Sequence, residues 1–188
     1  MPVPSSAALP GPSLPKNLST AENEKLIAST ELLFFAYRDF IADPDEILSD
    51  YGFRRSHHRV LHFVNREPGL RVTDLLDILK ITKQSLAPVL KPLIDQNFIV
   101  QKAGQLDRRE RRLFVTEQGK ELAERLMQPQ LGRIYRALSE IKPENHDVIL
   151  QFLYAMIKRK EQHNVANRIA KSTRDVLADL QTTITENQ

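Results

Sequence analysis

Residues 100–119 read VQKAGQLDRRERRLFVTEQG, and this stretch decides the fold. A short extended run leads into a turn at Gly104, and a second extended run covers residues 113–115. The pattern predicts a β-hairpin whose tip carries four arginines in five positions, 108 to 112. Thr116 suits the N-cap of a helix, so we expect a helix to begin directly after the hairpin.

Two helices joined by a short turn are predicted immediately upstream. Residues 72–79 and 82–96 have apolar side chains at helical spacing. Thr82 is a good N-cap for the second helix, and Asn97 suits a left-handed position at its C-terminal end. Such a pair, with a polar first turn on the second helix, is typical of the helix-turn-helix motif. Followed by the hairpin, it predicts a winged helix-turn-helix.

Composition and charge narrow the class of protein. The chain has no cysteine, which excludes disulfides, thiolate zinc sites and thiol redox sensing. No apolar run approaches the roughly 20 residues that span a bilayer, and the N-terminus does not resemble a signal peptide, so we expect a cytoplasmic protein with no membrane partner. Residues 80–112 carry eight lysines and arginines against three acidic residues, whereas the whole chain has a net charge of +3. This surplus indicates a polyanion partner, or else an ordinary solvated charged face.

The second helix of the motif carries the candidate base-reading residues, because its first turns enter the major groove. The candidates are Thr82, Lys83, Gln84, Ser85, Ala87 and Lys91. The Gln84 amide can form two hydrogen bonds with adenine, Lys83 can reach guanine or phosphate, and Ala87 or Pro88 can pack on a thymine methyl. The alternative is an ordinary exposed helix start with no ligand.

The hairpin tip would add affinity more than base selection. Side chains alternate between the two faces of a strand, so Arg108, Arg109, Arg111 and Arg112 cannot all face DNA. One arginine can enter a narrow minor groove while others neutralise phosphates. Asp107 is unfavourable beside DNA unless it holds an arginine. We therefore expect it to orient Arg109 or Arg112, or else to form a surface ion pair of little worth.

The motif D-x-R-x-x-R at 107–112, followed by L-F-V-T-E-x-G at 113–119, resembles the wing of the MarR family of bacterial and archaeal transcriptional regulators. The resemblance extends from about residue 21 to residue 159, with six helices and the wing between the fourth and the fifth. It implies a homodimer built from the first and last helices. It also implies a small-molecule effector that loosens DNA binding.

The organisation expected on this basis is a mainly α fold with a small β-wing, in which N- and C-terminal helices form the dimer. It comprises a proline-rich disordered arm (1–18), an N-terminal dimerisation helix (19–48), a winged helix-turn-helix DNA-binding lobe (53–116), C-terminal dimerisation helices (117–180) and a frayed tail (181–188). Ser19 and Glu22 have capping-box spacing at the start of the first helix. The last helix is expected to run unbroken from near Pro143 to about residue 180.

Two departures from the family pattern concern the DNA-binding surface. Pro88 and Pro92 lie inside the second helix of the motif, and each removes a backbone donor at a cost of about 3 kcal/mol in a regular helix interior. Either the helix is kinked, or the reading surface is confined to residues 82–87. Arg71 stands where the family usually has a capping serine or threonine, and it can point to a phosphate instead.

Two further groups of residues are candidate ligand sites. His58 and His62 are spaced to share one helix face, where two imidazoles can bind zinc or nickel, but packing between helices is the simpler interpretation, and no metal or other cofactor is expected. By resemblance, an effector pocket lies where the first, second and fifth helices meet the DNA-binding lobe. The candidate lining residues are Tyr37, Tyr51, Phe53, His57, His58 and Arg59, a set suited to an aromatic carboxylate, or else to core packing.

The function expected is a sequence-specific, dimeric, effector-responsive regulator, acting as a repressor on a pseudo-palindromic operator in double-stranded DNA. An architectural, nonspecific DNA-binding protein is the alternative, given the basic surplus and the prolines in the reading helix. A third interpretation is a winged-helix module whose partner is an acidic protein. No nucleophile elbow, P-loop or dinucleotide fingerprint is present in the sequence, so an enzyme is not expected.

Overall fold

The computed structural model describes residues 13–104 and 109–172. The elements in chain order are α1 Thr20–Ala42, α2 Asp45–Ser49, α3 Arg55–Arg66, β1 Leu70–Arg71, α4 Val72–Leu79, α5 Lys83–Asp95, β2 Ile99–Ala103, β3 Arg111–Val115, α6 Glu117–Ser139, a 3-10 turn Pro143–Asn145, α7 His146–Ala155 and α8 Arg159–Ser172. The expected mainly α fold with a small β-wing is confirmed. The chain divides into two compact units, residues 1–39 and residues 40–188.

In the first unit, α1 starts with the predicted capping box. The Glu22 carboxylate accepts hydrogen bonds from the backbone N–H and the hydroxyl of Ser19, at 2.9 and 2.7 Å. Ser19 Oγ in turn accepts from the Glu22 N–H at 3.3 Å. None of the residues of α1 is buried, although the helix carries seven large apolar side chains that are at least 41% exposed. Residues 1–12 of the expected arm lie outside the described residues.

In the second unit, the helix-turn-helix encloses a continuous apolar core. Val60, Leu61 and Val64 of α3 are buried, together with Leu75 of α4 and Leu93 of α5. Burying one such leucine contributes about 2 kcal/mol of transfer free energy. The core therefore fixes α4 and α5 on α3, and it leaves the polar face of α5 outside.

The wing is a three-stranded antiparallel sheet in the order β1-β3-β2. In its register Leu70 lies opposite Leu113, and Leu113 lies opposite Gln101. Leu70 and Leu113 are buried, so this face of the sheet belongs to the core. Adjacent residues along each strand therefore project from the opposite face.

One junction joins the end of α5, the wing and the start of α6. Asn97 has the left-handed conformation predicted for it, with φ of 61°. Thr116 Oγ1 donates to the Asn97 carbonyl at 2.7 Å and accepts from the Gly119 N–H at 3.0 Å, which caps α6. A Cβ on Gly119 would lie 1.9 Å from the Phe98 carbonyl oxygen, so only glycine fits. The close approach of the Phe98 carbonyl thus explains the glycine of the T-E-x-G motif.

The expectation of one unbroken last helix is wrong. The helix ends at Ala155, and a new helix, α8, begins at Arg159. The Gln162 side chain donates to the carbonyls of Tyr154 and Ile157, at 3.2 and 3.1 Å, and so satisfies acceptors that the interrupted helix leaves open. The described residues form eight α-helices instead of the expected six. One is added because the last helix is divided into α7 and α8, and the other is the short helix α2. Residues 173–188, including the expected tail, lie outside the described part.

Candidate nucleic-acid interface

The N-cap residue Thr82 stabilises the start of α5. Thr82 Oγ1 accepts a hydrogen bond from the Ser85 N–H at 3.2 Å and lies 3.0 Å from Ser85 Oγ. The next inward-facing residue, Leu86, is buried and anchors the first turn in the core. All six predicted reading residues of this helix are exposed: Thr82, Lys83, Gln84, Ser85, Ala87 and Lys91. The structure therefore brings them together on the outward face of one helix.

The two prolines do not interrupt α5. The helix is continuous from Lys83 to Asp95 with Pro88 and Pro92 inside it. Each proline leaves one carbonyl, four residues back, without its N–H partner. Pro88 is exposed, so water can hydrate the carbonyl that it leaves open. The exposed face of α5 therefore continues past residue 87, and Lys91 lies on it one turn further along.

A row of cations crosses the exposed face of the wing. Arg71 of β1 lies opposite Arg112 of β3, and Arg112 lies opposite Lys102 of β2. Directly opposed residues share one face of a sheet, so three positive side chains stand side by side. The Lys102 ammonium also sits 5.2 Å from the centre of the Phe114 ring. Sequence reasoning missed this row, because the partner of a two-residue strand is set by tertiary pairing.

Acidic neighbours orient two members of the row. Arg71 makes a bidentate pair with Asp74, with both N–O distances at 2.7 Å. These hydrogen bonds hold the pKa of the Asp74 carboxyl below its ordinary value and raise the pKa of Arg71. Glu110 Oε1 lies 2.6 Å from Arg112 Nε, so the carboxylate neutralises part of the positive charge on the wing. Both arginines remain about half exposed, so their free edges can still meet phosphate.

The hairpin tip is only partly described. Arg109 and Arg111 are exposed, and the Gly104 N–H donates to the Glu110 carbonyl at 2.9 Å across the base of the tip. Asp107 and Arg108 lie outside the described residues, so the predicted pairing of Asp107 stays a prediction. Arg112, one of its two expected partners, is held by Glu110.

The histidine pair is packed within the second unit. His58 is 9% exposed, and its ring centroid lies 6.5 Å from that of His62. Burial lowers the pKa of His58 to about 4, helped by His62 and opposed by Asp45. Within the described ranges, no cluster of three or more potential ligands that could hold a metal occurs. A buried neutral imidazole is the state that this geometry favours.

The expected effector residues fall into three environments. Tyr51, Phe53 and His57 join Phe98 in an aromatic cluster, with Phe53 stacked on His57 at 4.9 Å between centroids. The His57 ring also caps α3 by accepting from the Arg54 N–H at 2.9 Å. The other members of the expected set are His58, which is buried, and Tyr37 and Arg59, which are exposed.

A cavity that sequence reasoning did not find lies elsewhere. It measures about 790 Å³ and is enclosed by α3, α4 and α8, with His62 as its only residue from the two candidate sets. Phe53 borders a second, smaller cavity of about 360 Å³. The signal in the sequence is weak. The α8 residues that face the large cavity include Glu161, Val165 and Arg168, at helical spacing, but nothing in the sequence places that helix against α4.

Comparison with known proteins identifies the class. A family model described as the MarR family matches residues 51–110. The HTH-type transcriptional regulator PetP of Rhodobacter capsulatus is 44% identical over 135 residues, which cover 72% of this chain and 81% of that protein. No helix among the described residues is long and apolar enough to cross a membrane.

Solved structures agree on the fold. A MarR-family transcriptional regulator from Silicibacter pomeroyi superposes with a TM-score of 0.58 at 18% identity, covering 68% of this chain and 86% of that one. A MarR transcriptional regulator from Methanosarcina mazei Go1 gives 0.57 at 24% identity, covering 71% and 94%. With the reading helix and the wing in place, the chain belongs to the MarR family and is a DNA-binding transcriptional regulator, not an enzyme.

Proposed function

We propose that the protein is a sequence-specific repressor that binds a pseudo-palindromic operator as a homodimer and responds to a small-molecule effector. The observation that carries this proposal is the combination of two surfaces: the exposed side chains at the start of α5 and the row of cations on the wing. The first supplies groups that distinguish bases, and the second supplies charge that binds any sequence. A protein with both can select one site among many.

The two surfaces would contribute differently to binding. Gln84 is the side chain best suited to direct base readout, since its amide matches the adenine edge in the major groove. Lys83 and Lys91 flank it and would contact guanine or phosphate. The wing arginines, including Arg109 at the tip, would neutralise phosphates or enter the minor groove. Specificity would therefore reside in α5 and salt dependence in the wing.

Exposed apolar surface supports the homodimer. In the first unit, α1 exposes Phe34 and Leu32 by 68% each. In the second unit, α6 exposes Tyr135 by 76%, and α7 exposes Val148 and Phe152 by more than half. Exposed apolar helix faces of this kind favour burial against a second copy of the chain. The net charge of +3 is small, so repulsion between two copies is weak. A two-fold dimer would place its two reading helices on half-sites about one helical turn apart.

Repression would follow from occupancy of the operator, and release from a change in the spacing of the two reading helices. An effector can cause that change only if it binds the wrongly spaced state more tightly. The expected aromatic set around Tyr51 and Phe53 is one candidate site for such an effector, although most of its rings pack on one another. The large cavity bordered by α8 is the other.

The experiment that tests the function is selection of bound sequences from a randomised duplex pool at near-physiological salt. We expect enrichment of an inverted repeat with half-sites one turn apart, bound at least about 10³-fold more tightly than random duplex. Binding without enrichment would refute sequence specificity and establish the architectural alternative. Absence of binding by ligand-free protein, even at low salt, would refute DNA binding through this surface and leave an acidic protein as the partner of the wing.

A further inference from the structure

Charged side chains of alternating sign connect α8 to the cation row of the wing. Arg168 of α8 forms an ion pair with Glu67, the residue that follows α3. Asp74, in the first turn of α4, borders the same cavity as these two side chains. The Asp74 carboxylate in turn holds Arg71, a member of the row, through its bidentate pair. One acidic group of the cavity wall therefore stands between a guanidinium of α8 and a guanidinium of the wing.

The pKa of the Asp74 carboxyl shows that both guanidiniums act on it. Hydrogen bonds from Arg71 lower this pKa most, and the positive charge of Arg168 lowers it further, against the opposing effect of burial. Arg168 and Asp74 are both partly buried, so water and salt screen their attraction only in part. Arg71 is therefore exposed to the Asp74 carboxylate together with a cation that compensates it.

The alternation continues across the wing. Arg112 lies directly opposite Arg71, and Glu110 pairs with Arg112. The negative charge of Glu110 also raises the pKa of Arg71, although Asp74 has the larger effect. Three carboxylates and three guanidiniums thus form one series, the charge chain, in the order Glu67, Arg168, Asp74, Arg71, Glu110 and Arg112.

Arg71 has donors left for a second partner. Its guanidinium group carries five N–H donors, and Asp74 accepts one from Nε and one from Nη2. The side chain is about half exposed, so the remaining donors can meet a phosphate. A phosphate at this outer edge shares the guanidinium with Asp74. Its attraction to Arg71 therefore depends on how much negative charge surrounds the inner edge.

We propose that Arg168 is a positioning residue for DNA binding, which compensates Glu67 and Asp74 so that the outer edge of Arg71 stays available to a backbone phosphate. The ligand that it favours is the phosphate backbone, which is common to every duplex sequence. The inference deepens the proposed function and rests on it in one respect, namely that the cation row of the wing meets phosphates.

Loss of the Arg168 charge changes the balance at the inner edge of Arg71. Glu67 and Asp74 are then two carboxylates beside a single guanidinium of the charge chain, and the excess negative charge repels a phosphate that approaches Arg71. Loss of the Glu67 charge has the opposite sign, because Arg168 is then left to compensate Asp74 alone. Both losses break the same contact between α8 and the end of α3. Electrostatic positioning and simple detachment of α8 therefore predict different results for the two changes.

The test measures binding of the full chain to a random-sequence duplex by fluorescence anisotropy, repeated over a series of salt concentrations. Arg168→Gln should weaken binding about three-fold, the size usual for a partly exposed ion pair, and should flatten the slope of log K against log salt. Arg168→Lys keeps the charge and should bind within about two-fold of the parent chain. Arg159→Gln is the matched control, since it removes an exposed arginine from the start of the same helix, and it should also stay within about two-fold.

Glu67→Gln tests the sign of the effect. It breaks the same ion pair but should leave binding at least as tight as in the parent chain. If Arg168→Gln and Glu67→Gln weaken binding by similar factors, detachment of α8 and not its charge is responsible, and the positioning role is overturned. Without DNA, the pKa of the Asp74 carboxyl, followed by NMR, should rise in Arg168→Gln. An unchanged value would remove the link between α8 and Asp74.

The Arg71 background distinguishes failure of this inference from failure of the proposed function. Arg71→Gln should weaken binding about ten-fold and flatten the salt slope by about 0.9. Adding Arg168→Gln to it should then change binding by less than about two-fold, whereas a further loss of about three-fold would show that Arg168 acts on another group. If Arg71→Gln behaves as expected while Arg168→Gln matches the parent, the positioning role fails alone. If Arg71→Gln itself matches the parent, the row does not meet phosphates, and the proposed function fails at this surface together with the inference.

Discussion

Lowering the pH should destabilise the second unit through His58. In the unfolded chain this imidazole takes up a proton near pH 6.5, whereas burial lowers its pKa to about 4 in the folded protein. The folded state therefore binds fewer protons, and the contribution of His58 to stability is complete above pH 6.5 and is lost as the pH falls toward 4. The full effect corresponds to about 3 kcal/mol, and the part lost by about pH 5 to about 2 kcal/mol.

Urea unfolding followed by circular dichroism at about pH 7.5 and about pH 5 measures this loss. Protein concentration is held constant, because the stability of the proposed dimer would depend on it. The pKa values of His57 and His62 are also lowered by burial, so the parent chain should lose more than the contribution of His58 alone. His58→Gln should remove about 2 kcal/mol of the difference between the two pH values. His163→Gln, which alters an exposed histidine, should leave the difference unchanged.

If His58→Gln shows the same pH dependence as the parent, protonation of His58 is not what destabilises the folded state. A direct check avoids any folding defect of the variant. The His58 ring protons, followed by NMR in the intact parent chain, should not titrate above about pH 5. A midpoint near 6.5 would show that the ring is not desolvated as described.

Three further changes test the interface and its scaffold. Gln84→Ala should relax base preference at one position of each half-site by about 1–3 kcal/mol, measured by competition with single-base operator variants; uniform weakening would contradict base readout. Arg109→Ala should weaken binding to all sequences and reduce the slope of log K against log salt by about 1 per contact, and an unchanged slope would remove Arg109 from the phosphate surface. Gly119→Ala should cost about 3 kcal/mol in urea unfolding, because its Cβ would strike the Phe98 carbonyl. Gly132→Ala is the control, since its Cβ would meet nothing within 4 Å and should be neutral or stabilising by up to about 1 kcal/mol.

The parts of the fold set by local chemistry were predictable from the sequence. Thr82 and Thr116 cap α5 and α6 because a hydroxyl at those positions satisfies a nearby N–H. The left-handed Asn97 follows from the tolerance of asparagine for that conformation. The inward residues of α3 follow from helical periodicity. In each case the cause lies within a few residues of the feature.

The parts set by distant contacts were not predictable. The break between α7 and α8 has no proline or glycine to announce it, and it depends on Gln162 reaching back to the carbonyl of Tyr154. The placement of Arg71 directly opposite Arg112 depends on the pairing of β1 with β3. The cavity exists because Glu161 and Arg168 fix α8 on α3 and α4. Sequence periodicity contains none of these relations.

The junction of Asn97, Phe98, Thr116 and Gly119 has a consequence for re-engineering this regulator. The backbone that leaves the reading helix is bonded to the backbone that enters α6, with the Thr116 N–H donating to the Phe98 carbonyl at 3.1 Å. The outward positions of α5 take no part in these bonds, so side chains from another protein can be transplanted onto the exposed positions 83, 84, 85, 87 and 91 without disturbing them. A transplanted wing must instead end in a hydroxyl followed three residues later by glycine, or α6 loses both its cap and its clearance. New operators are thus to be sought by exchanging helix faces, with the wing left in place.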